Sequence, residues 1–262
     1  MESKPFKLPK YEITQPLVAD LFNGIYQILG DNLLGLYLGG SLAIGDFDED
    51  RSDLDFLVVA KGELSDDSIR RLHKLHDSVR ASNKNRLYTN YEGIYLSTDQ
   101  ASHPKTADMH APHLGSDGHF QIEDHGADII IDLWKIRKSG FVVYGPPPRD
   151  VIGEVTTDDM LQAKTQLFNG WWLPKLEAKE PMDDEYQAYA VLTMARILCG
   201  FENHDEVSKK KAAAWCAAEY PQFAKLVSKA LAWQEGDRLD ELERTYDFIA
   251  FVSKRIEVAY DQ

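Results

Sequence analysis

Cysteine is nearly absent from this chain: 262 residues carry two, Cys199 and Cys216. Two cannot build the disulfide framework of a small secreted scaffold, and both fall in helix-patterned segments, so a reducing, cytoplasmic setting is expected. Long hydrophobic runs are missing too. None approaches the ~18 apolar residues that a membrane-spanning helix needs, and the opening MESKPFKLPK lacks the apolar stretch of a signal peptide. Basic residues are scarce beside acidic ones, with 29 Lys plus Arg against 43 Asp plus Glu and a formal charge of -14. That balance argues against a coat for nucleic acid or anionic lipid, so neither a polynucleotide nor a membrane is expected as partner. It permits a small cationic partner. The remaining composition, 44% hydrophobic and 27% charged, is that of an ordinary globular protein.

Hydrophobic spacing divides the chain in two. After an arm of about ten residues, Leu17, Val18, Leu21, Phe22, Ile25, Tyr26 and Leu29 recur at helical spacing and Gly30 closes the run. Leu33 to Leu38 and Leu54 to Ala60 read as buried strands, and Arg86 to Ser97 as a long one. Between them Ser65 caps a helix with Ile69, Leu72, Leu75, His76 and Val79 along one stripe. Strands alternating with helices indicate a small α/β domain.

The stretch from Thr98 to Gly126 has no period. It holds His103, His110, His113, His119 and His125, but no cysteine ligand and no pair of histidines spaced for one helix face. It reads as a polar loop lining a substrate cleft rather than a zinc site. A helix from Ala127 to Gly140, with Ile129, Ile130, Leu133, Trp134 and Ile136 buried, and an extended Phe141 to Tyr144 complete this half. Beyond Pro148 the pattern is helical throughout: Met160 to Lys175, then 184–200, 208–220, 222–235 and 237–260, broken at Gly200, Pro221 and Gly236. The expected fold class is α/β plus all-α: a domain over residues 1–150 and a bundle of about five helices over 151–262.

Chemistry concentrates between Gly35 and Val59. A strand delivers Gly39, Gly40 and Ser41 into a turn where an anionic group can approach the backbone and a serine hydroxyl. Asp53 and Asp55 follow at the mouth of the next strand, where residues i and i+2 share a face. Two converging carboxylates repel unless a cation bridges them, and hard oxygen ligands suit Mg²⁺.

Gly39-Gly40-Ser41 followed by Ser52-Asp53-Leu54-Asp55 resembles the signature of the nucleotidyltransferase superfamily that shares its catalytic domain with DNA polymerase beta. Within it, the chain resembles the aminoglycoside adenylyltransferases that modify streptomycin and spectinomycin. Tyr91-Glu92-Gly93-Ile94, Val191 to Arg196 and Lys210 to Trp215 extend the likeness over nearly the whole chain.

The resemblance implies a polymerase beta-like nucleotidyltransferase domain followed by a helical domain that helps bind ATP and acceptor. It also implies a monomer that moves AMP from ATP to an acceptor hydroxyl, with ATP and Mg²⁺ required. Asp53, Asp55 and Glu92 would be the catalytic and metal-binding carboxylates, with Glu92 as general base. Gly40, Ser41, Arg196 and Lys210 would hold the nucleotide. Asp128 and Asp132 are alternative carboxylates, better explained by helical salt bridges or surface positions. Arg80, Lys84 and Arg86 form a small basic group.

The acceptor side differs from the family: no tryptophan lies between Glu92 and Trp134, and Tyr189 stands where the family has Asn. The expected acceptor is a small cationic, hydroxylated molecule, an aminoglycoside or aminocyclitol. The alternatives are another small molecule, a protein hydroxyl, an RNA, or an inactive nucleotide-binding protein.

Overall fold

The computed structural model describes residues 5–105 and 109–260, without the side chains of 258–260. Residues 1–4 of the expected arm and 106–108 of the expected loop lie outside the described residues. The chain forms two compact units, Met1–Thr156 and Thr157–Gln262.

The first unit is built on α1 (Gln15–Leu29), β1 (Leu33–Leu38), α2 (Gly40–Ala43), β2 (Leu54–Ala60), α3 (Asp66–Ser82), β3 (Tyr91–Ser97) and α4 (Thr98–Ser102). It continues through β4 (His110–Leu114), β5 (Phe120–Asp124), α5 (Ala127–Ser139) and β6 (Phe141–Tyr144). The strands form one sheet in the order β5-β4-β3-β2-β1-β6. β2 and β3 run parallel, and the other neighbours are antiparallel. A parallel pair needs a crossover, here supplied by α3. The central strands are covered on both faces: Leu54, Phe56 and Val58 join the core with α1 and α3, while Leu57 and Val59 are buried on the other side.

Three expectations for this unit are corrected. The described residues between Thr98 and Gly126 are not one loop: α4 takes up Thr98–Ser102, and β4 and β5 form a hairpin that extends the sheet. Pro112 and the His/Asp-rich composition hide the strand period, and β5 lies at the sheet edge, where polar residues are tolerated. The long strand expected from Arg86 begins only at Tyr91, because Arg86–Tyr88 form a 3₁₀ turn capped by Asn85. In α5 the buried residue is Ile131 and not Ile130, which is half-buried. The arm is docked: the Lys7 N–H donates to the Val143 carbonyl at 2.8 Å, and Phe6 stacks on Phe22 with centroids 4.4 Å apart.

The stripe on α3 places His76 in the core, 1% exposed. Its ring nitrogens meet the hydroxyls of Tyr91 at 3.2 Å and Tyr95 at 2.8 Å. Burial, with help from Arg80 and His73, pushes its pKa from the ordinary 6.5 down to about 3. The folded pKa is depressed, so the unfolded chain takes up the proton first. This stabilising contribution is whole above pH 6.5 and is lost as pH falls towards about 3, at up to ~1.4 kcal/mol per pH unit. Urea denaturation of His76→Gln should therefore show a shallower loss of stability than the parent between about pH 6.5 and 5. Equal slopes would refute the assignment.

The second unit comprises α6 (Thr157–Leu167), a π-helical segment (Phe168–Trp172), α7 (Leu173–Ala178), α8 (Asp184–Asn203), α9 (Lys209–Glu219), α10 (Pro221–Ala232) and α11 (Leu242–Tyr260). Helix starts are capped by side chains: Asp183 accepts from the Tyr186 N–H, and Ser208 from the Lys211 N–H. Three expectations need correction here. Gly200 does not break α8 but lies buried within it, and the helix ends at His204 in the left-handed region. The helix expected through Met160–Lys175 is interrupted by the π-helical segment, and the one expected from 237 begins at Leu242. Among the described residues, no helix is long and apolar enough to cross a membrane.

Candidate active site

The parallel register of β2 and β3 sets the site. It pairs Leu54 with Tyr91 and Asp55 with Glu92, so two carboxylates stand side by side on neighbouring strands. Asp53 joins them from the last position before β2. Ligand oxygens of Asp53, Asp55 and Glu92 all lie within 4.8 Å of one another; Asp53 is exposed and the other two are half-buried. The loop that presents Asp53 is braced by Arg86, whose Nη2 donates to the carbonyls of Ser52 at 2.7 Å and Glu49 at 3.1 Å. Arg80 likewise donates to the Thr89 carbonyl at 2.8 Å. Two members of the basic group noted in sequence, Arg80 and Arg86, thus supply structural braces.

Burial raises the Asp55 carboxyl well above its ordinary range, and the negative charges of Asp53, Glu92 and Asp132 push it further; Lys135 opposes them. Glu92 is raised by burial and then by Asp53 and Asp132, with His113 and a hydrogen bond to Asp55 working against the shift. Three like charges confined this closely favour a bound cation.

Gly39 and Gly40 make the space beside these carboxylates. Gly39 donates its N–H to the Asp55 carbonyl at 2.9 Å. Gly40 has φ of +53°, and a Cβ there would meet Asp55 Oδ2 at 1.6 Å. Gly40→Ala should cost about 1–3 kcal/mol from strained backbone and displace the Asp55 carboxylate. A thermal melt together with a Mg²⁺ titration would measure both effects, and an unshifted melting temperature would refute the first. The next residue, Ser41, holds a buried Oγ that has no hydrogen-bond partner. Such an orphaned hydroxyl, at the start of the short helix α2, fits a ligand oxygen.

Across the same pocket lie His113, His125, Asp128, Asp132 and Ile136. His113 pairs in register with Ile94 on β3, two residues beyond Glu92. Its Nδ1 is 2.6 Å from Glu123 Oε1. Burial, then His113, lowers the pKa of His125. Asp132 bridges Lys135 at 3.2 Å, and Asp128 accepts from the Gly126 N–H at 3.1 Å, in keeping with the helical roles expected for both. Sequence reading missed His113, His125 and Lys135 as neighbours of the carboxylates. No spacing signal could have found them, since each arrives through strand pairing or helix packing.

Arg196 and Lys210 belong to the helical unit. Arg196 lies in α8 with Nη1 3.8 Å from Glu206, which also pairs with the buried Lys164. The Arg196 Nε is buried without a partner. Lys210 is exposed in the first turn of α9, between Lys209 and Lys211. Cations at a helix N-terminus oppose the macrodipole, and an anion there would relieve them.

The residues present suit a divalent cation and a phosphate-bearing ligand: three converging oxygen donors, a glycine cradle and an orphaned serine hydroxyl. Comparison with known proteins agrees. Residues 25–95 match a family model described as a nucleotidyltransferase domain, and residues 150–256 match the C-terminal domain of aminoglycoside adenylyltransferases. No curated protein matches the chain. Among solved structures, a spectinomycin adenyltransferase, AAD(9), from Enterococcus faecialis, with ATP and spectinomycin, is similar in fold. It has a TM-score of 0.70 at 18% identity, over 92% of this chain and 98% of that one. The chain therefore has an aminoglycoside adenylyltransferase-like architecture, a nucleotidyltransferase domain followed by a region that matches the aminoglycoside adenylyltransferase C-terminal domain, and this supports an adenylyltransferase-type enzyme.

Proposed function

We propose that this enzyme transfers AMP from ATP to a hydroxyl of a small cationic aminocyclitol or aminoglycoside, such as spectinomycin or streptomycin, with pyrophosphate as the leaving product. The observation that carries this reading is the convergence of Asp53, Asp55 and Glu92 in a chain whose second half matches the aminoglycoside adenylyltransferase C-terminal domain.

Asp53 and Asp55, with Glu92 beside them, would hold Mg²⁺. When bound, that ion neutralises charge on the triphosphate and orients the leaving group. Gly40 leaves room for the Asp55 carboxylate, and the free Ser41 hydroxyl donates to a phosphate oxygen. Arg196 and Lys210 contribute positive charge to the nucleotide. Glu92 takes the proton from the acceptor hydroxyl as its oxygen attacks the α-phosphate in line; burial keeps this base more proton-avid than a solvated glutamate. Most of the rate enhancement then comes from positioning and charge stabilisation. The acidic pocket wall, with Asp128 and Asp132, favours a cationic acceptor. We propose that the protein works as a monomer and without a polynucleotide partner.

An acceptor screen tests the proposal. The protein is incubated with Mg²⁺, ATP labelled in its α-phosphate, and a panel of aminoglycosides and aminocyclitols. Labelled AMP-acceptor together with released pyrophosphate supports it. Labelling of a protein instead, with no product from any member of the panel, would overturn the choice of acceptor.

A further inference from the structure

Beside the carboxylate centre, the β4–β5 hairpin gathers a second group of metal-ligating side chains. One ligand atom each from His113, Glu123 and His125 lies within 4.8 Å of the other two, and all three residues are half-buried. We propose that His113, Glu123 and His125 bind a divalent transition metal, with Zn²⁺ the best chemical match, at a site separate from the Asp53/Asp55/Glu92 centre.

The donor set makes the case for the ion. Two imidazoles and one carboxylate are the ligands of a borderline cation such as Zn²⁺, whereas Mg²⁺ prefers all-oxygen surroundings. The two centres therefore discriminate by hardness even though they share a pocket. Three protein ligands leave a coordination position open, as in metal sites that engage a ligand or water rather than only brace a fold.

The surroundings support these side chains as ligands. β4 and β5 pair Ala111 with Glu123 and His113 with Gln121, so His113 and Glu123 reach one another diagonally across the hairpin. Gln121 Nε2 donates to Glu123 Oε2 at 2.9 Å, orienting the carboxylate while its other oxygen faces His113. His125 Nε2 is 3.4 Å from the Ala111 carbonyl, and the two imidazoles meet edge to face with centroids 5.1 Å apart. A carboxylate or carbonyl contact on a ligand of this kind is the usual outer support of a metal site. His113 and His125 also line the pocket that holds Asp55 and Glu92, so an ion held there borders the reacting groups.

The test uses the full chain, stripped with chelator and titrated with ZnCl₂ in excess MgCl₂. One Zn²⁺ per chain is expected. His125→Ala and Glu123→Gln should each weaken its binding by about 100-fold or more, while the double variant Asp53→Asn, Asp55→Asn retains it. Absence of Zn²⁺ binding, which would leave His113 and Glu123 as a simple ion pair, overturns the proposal. So does binding that is insensitive to His125→Ala, or binding lost only in the double aspartate variant. Should the hairpin variants fail to fold, the Co²⁺-loaded parent protein decides. Visible ligand-field bands without a thiolate charge-transfer band support the site, and a thiolate band, implicating Cys199 or Cys216, rejects it.

Discussion

Asp55→Asn is expected to lower AMP transfer by on the order of 10³-fold while raising the melting temperature of the ligand-free protein. Both effects come from one carboxylate. Asp55 is half-buried, stands in register with Glu92, and has Asp53 within the same small space. Its charge is opposed by burial before any neighbour is counted, so the folded chain holds it at a cost that a bound cation offsets. Asparagine keeps the shape and removes the charge. The repulsion goes, and with it an oxygen ligand for the cation that stabilises the reacting phosphate, an effect worth several kcal/mol. Loss of activity with a gain in stability is the trade-off expected where function maintains an unfavourable local charge. The two readouts are turnover with saturating MgCl₂ and a thermal melt in chelator. A fall in both would mark Asp55 as a structural residue.

Glu92→Gln should reduce kcat by about 10²–10⁴-fold, the usual span for a general base, and leave ATP binding in place. The substitution is isosteric and sits on β3, so register and packing persist. What disappears is the acceptor for the hydroxyl proton. The pH profile gives the sharper check. Burial and the charges of Asp53 and Asp132 raise the Glu92 pKa, and only the deprotonated form can act as base. The parent kcat should therefore climb with pH through that raised pKa, and the variant should lose this limb. A variant within about threefold of the parent, with the limb intact, would exclude Glu92 as the base.

The Asp53/Asp55 pair was legible because its signal is local, whereas Glu92, on a separate strand, came only from the family resemblance. Gly39 to Ser41 and Asp53 to Asp55 fall within one strand–turn–strand passage, and the strands around them are apolar enough to be read from composition alone. Period-3.6 patterns likewise located α1, α3 and the helices of the second unit. The β4–β5 hairpin was not legible. Its strands carry His110, Pro112, His113, Gln121, Glu123 and Asp124, because β5 is an edge strand with one partner. An edge strand needs no apolar alternation, and without alternation there is no strand signal. The gathering of His113 with His125 escaped for a related reason: metal spacing rules describe ligands on one helix or knuckle, whereas these meet across a turn. Gly200 misled differently. Glycine commonly ends a helix, but here it allows close packing inside α8, where a Cβ would come within 2.5 Å of the buried Lys164 Nζ. Arg86 acts through main-chain carbonyls at Glu49 and Ser52, contacts that leave no pattern in the residues themselves.

The parallel pairing of β2 with β3 also bears on the order in which the chain folds. Strands joined by a hairpin run antiparallel, so to pair Asp55 with Glu92 in this parallel register the connection from Lys61 to Asn90, carrying α3, must first traverse the sheet and close. Loop closure and charge repulsion are thus met in the same event, and the entropy of the first is recovered only after the second has been overcome. Without a cation, the acidic centre acts as a brake on the crossover. Refolding of the ligand-free chain should accordingly quicken when Mg²⁺ is present from the start, and Asp55→Asn should quicken without it. Equal refolding rates in all three cases would mean that β2 and β3 meet only after the rate-limiting step, leaving the acidic centre to govern unfolding instead.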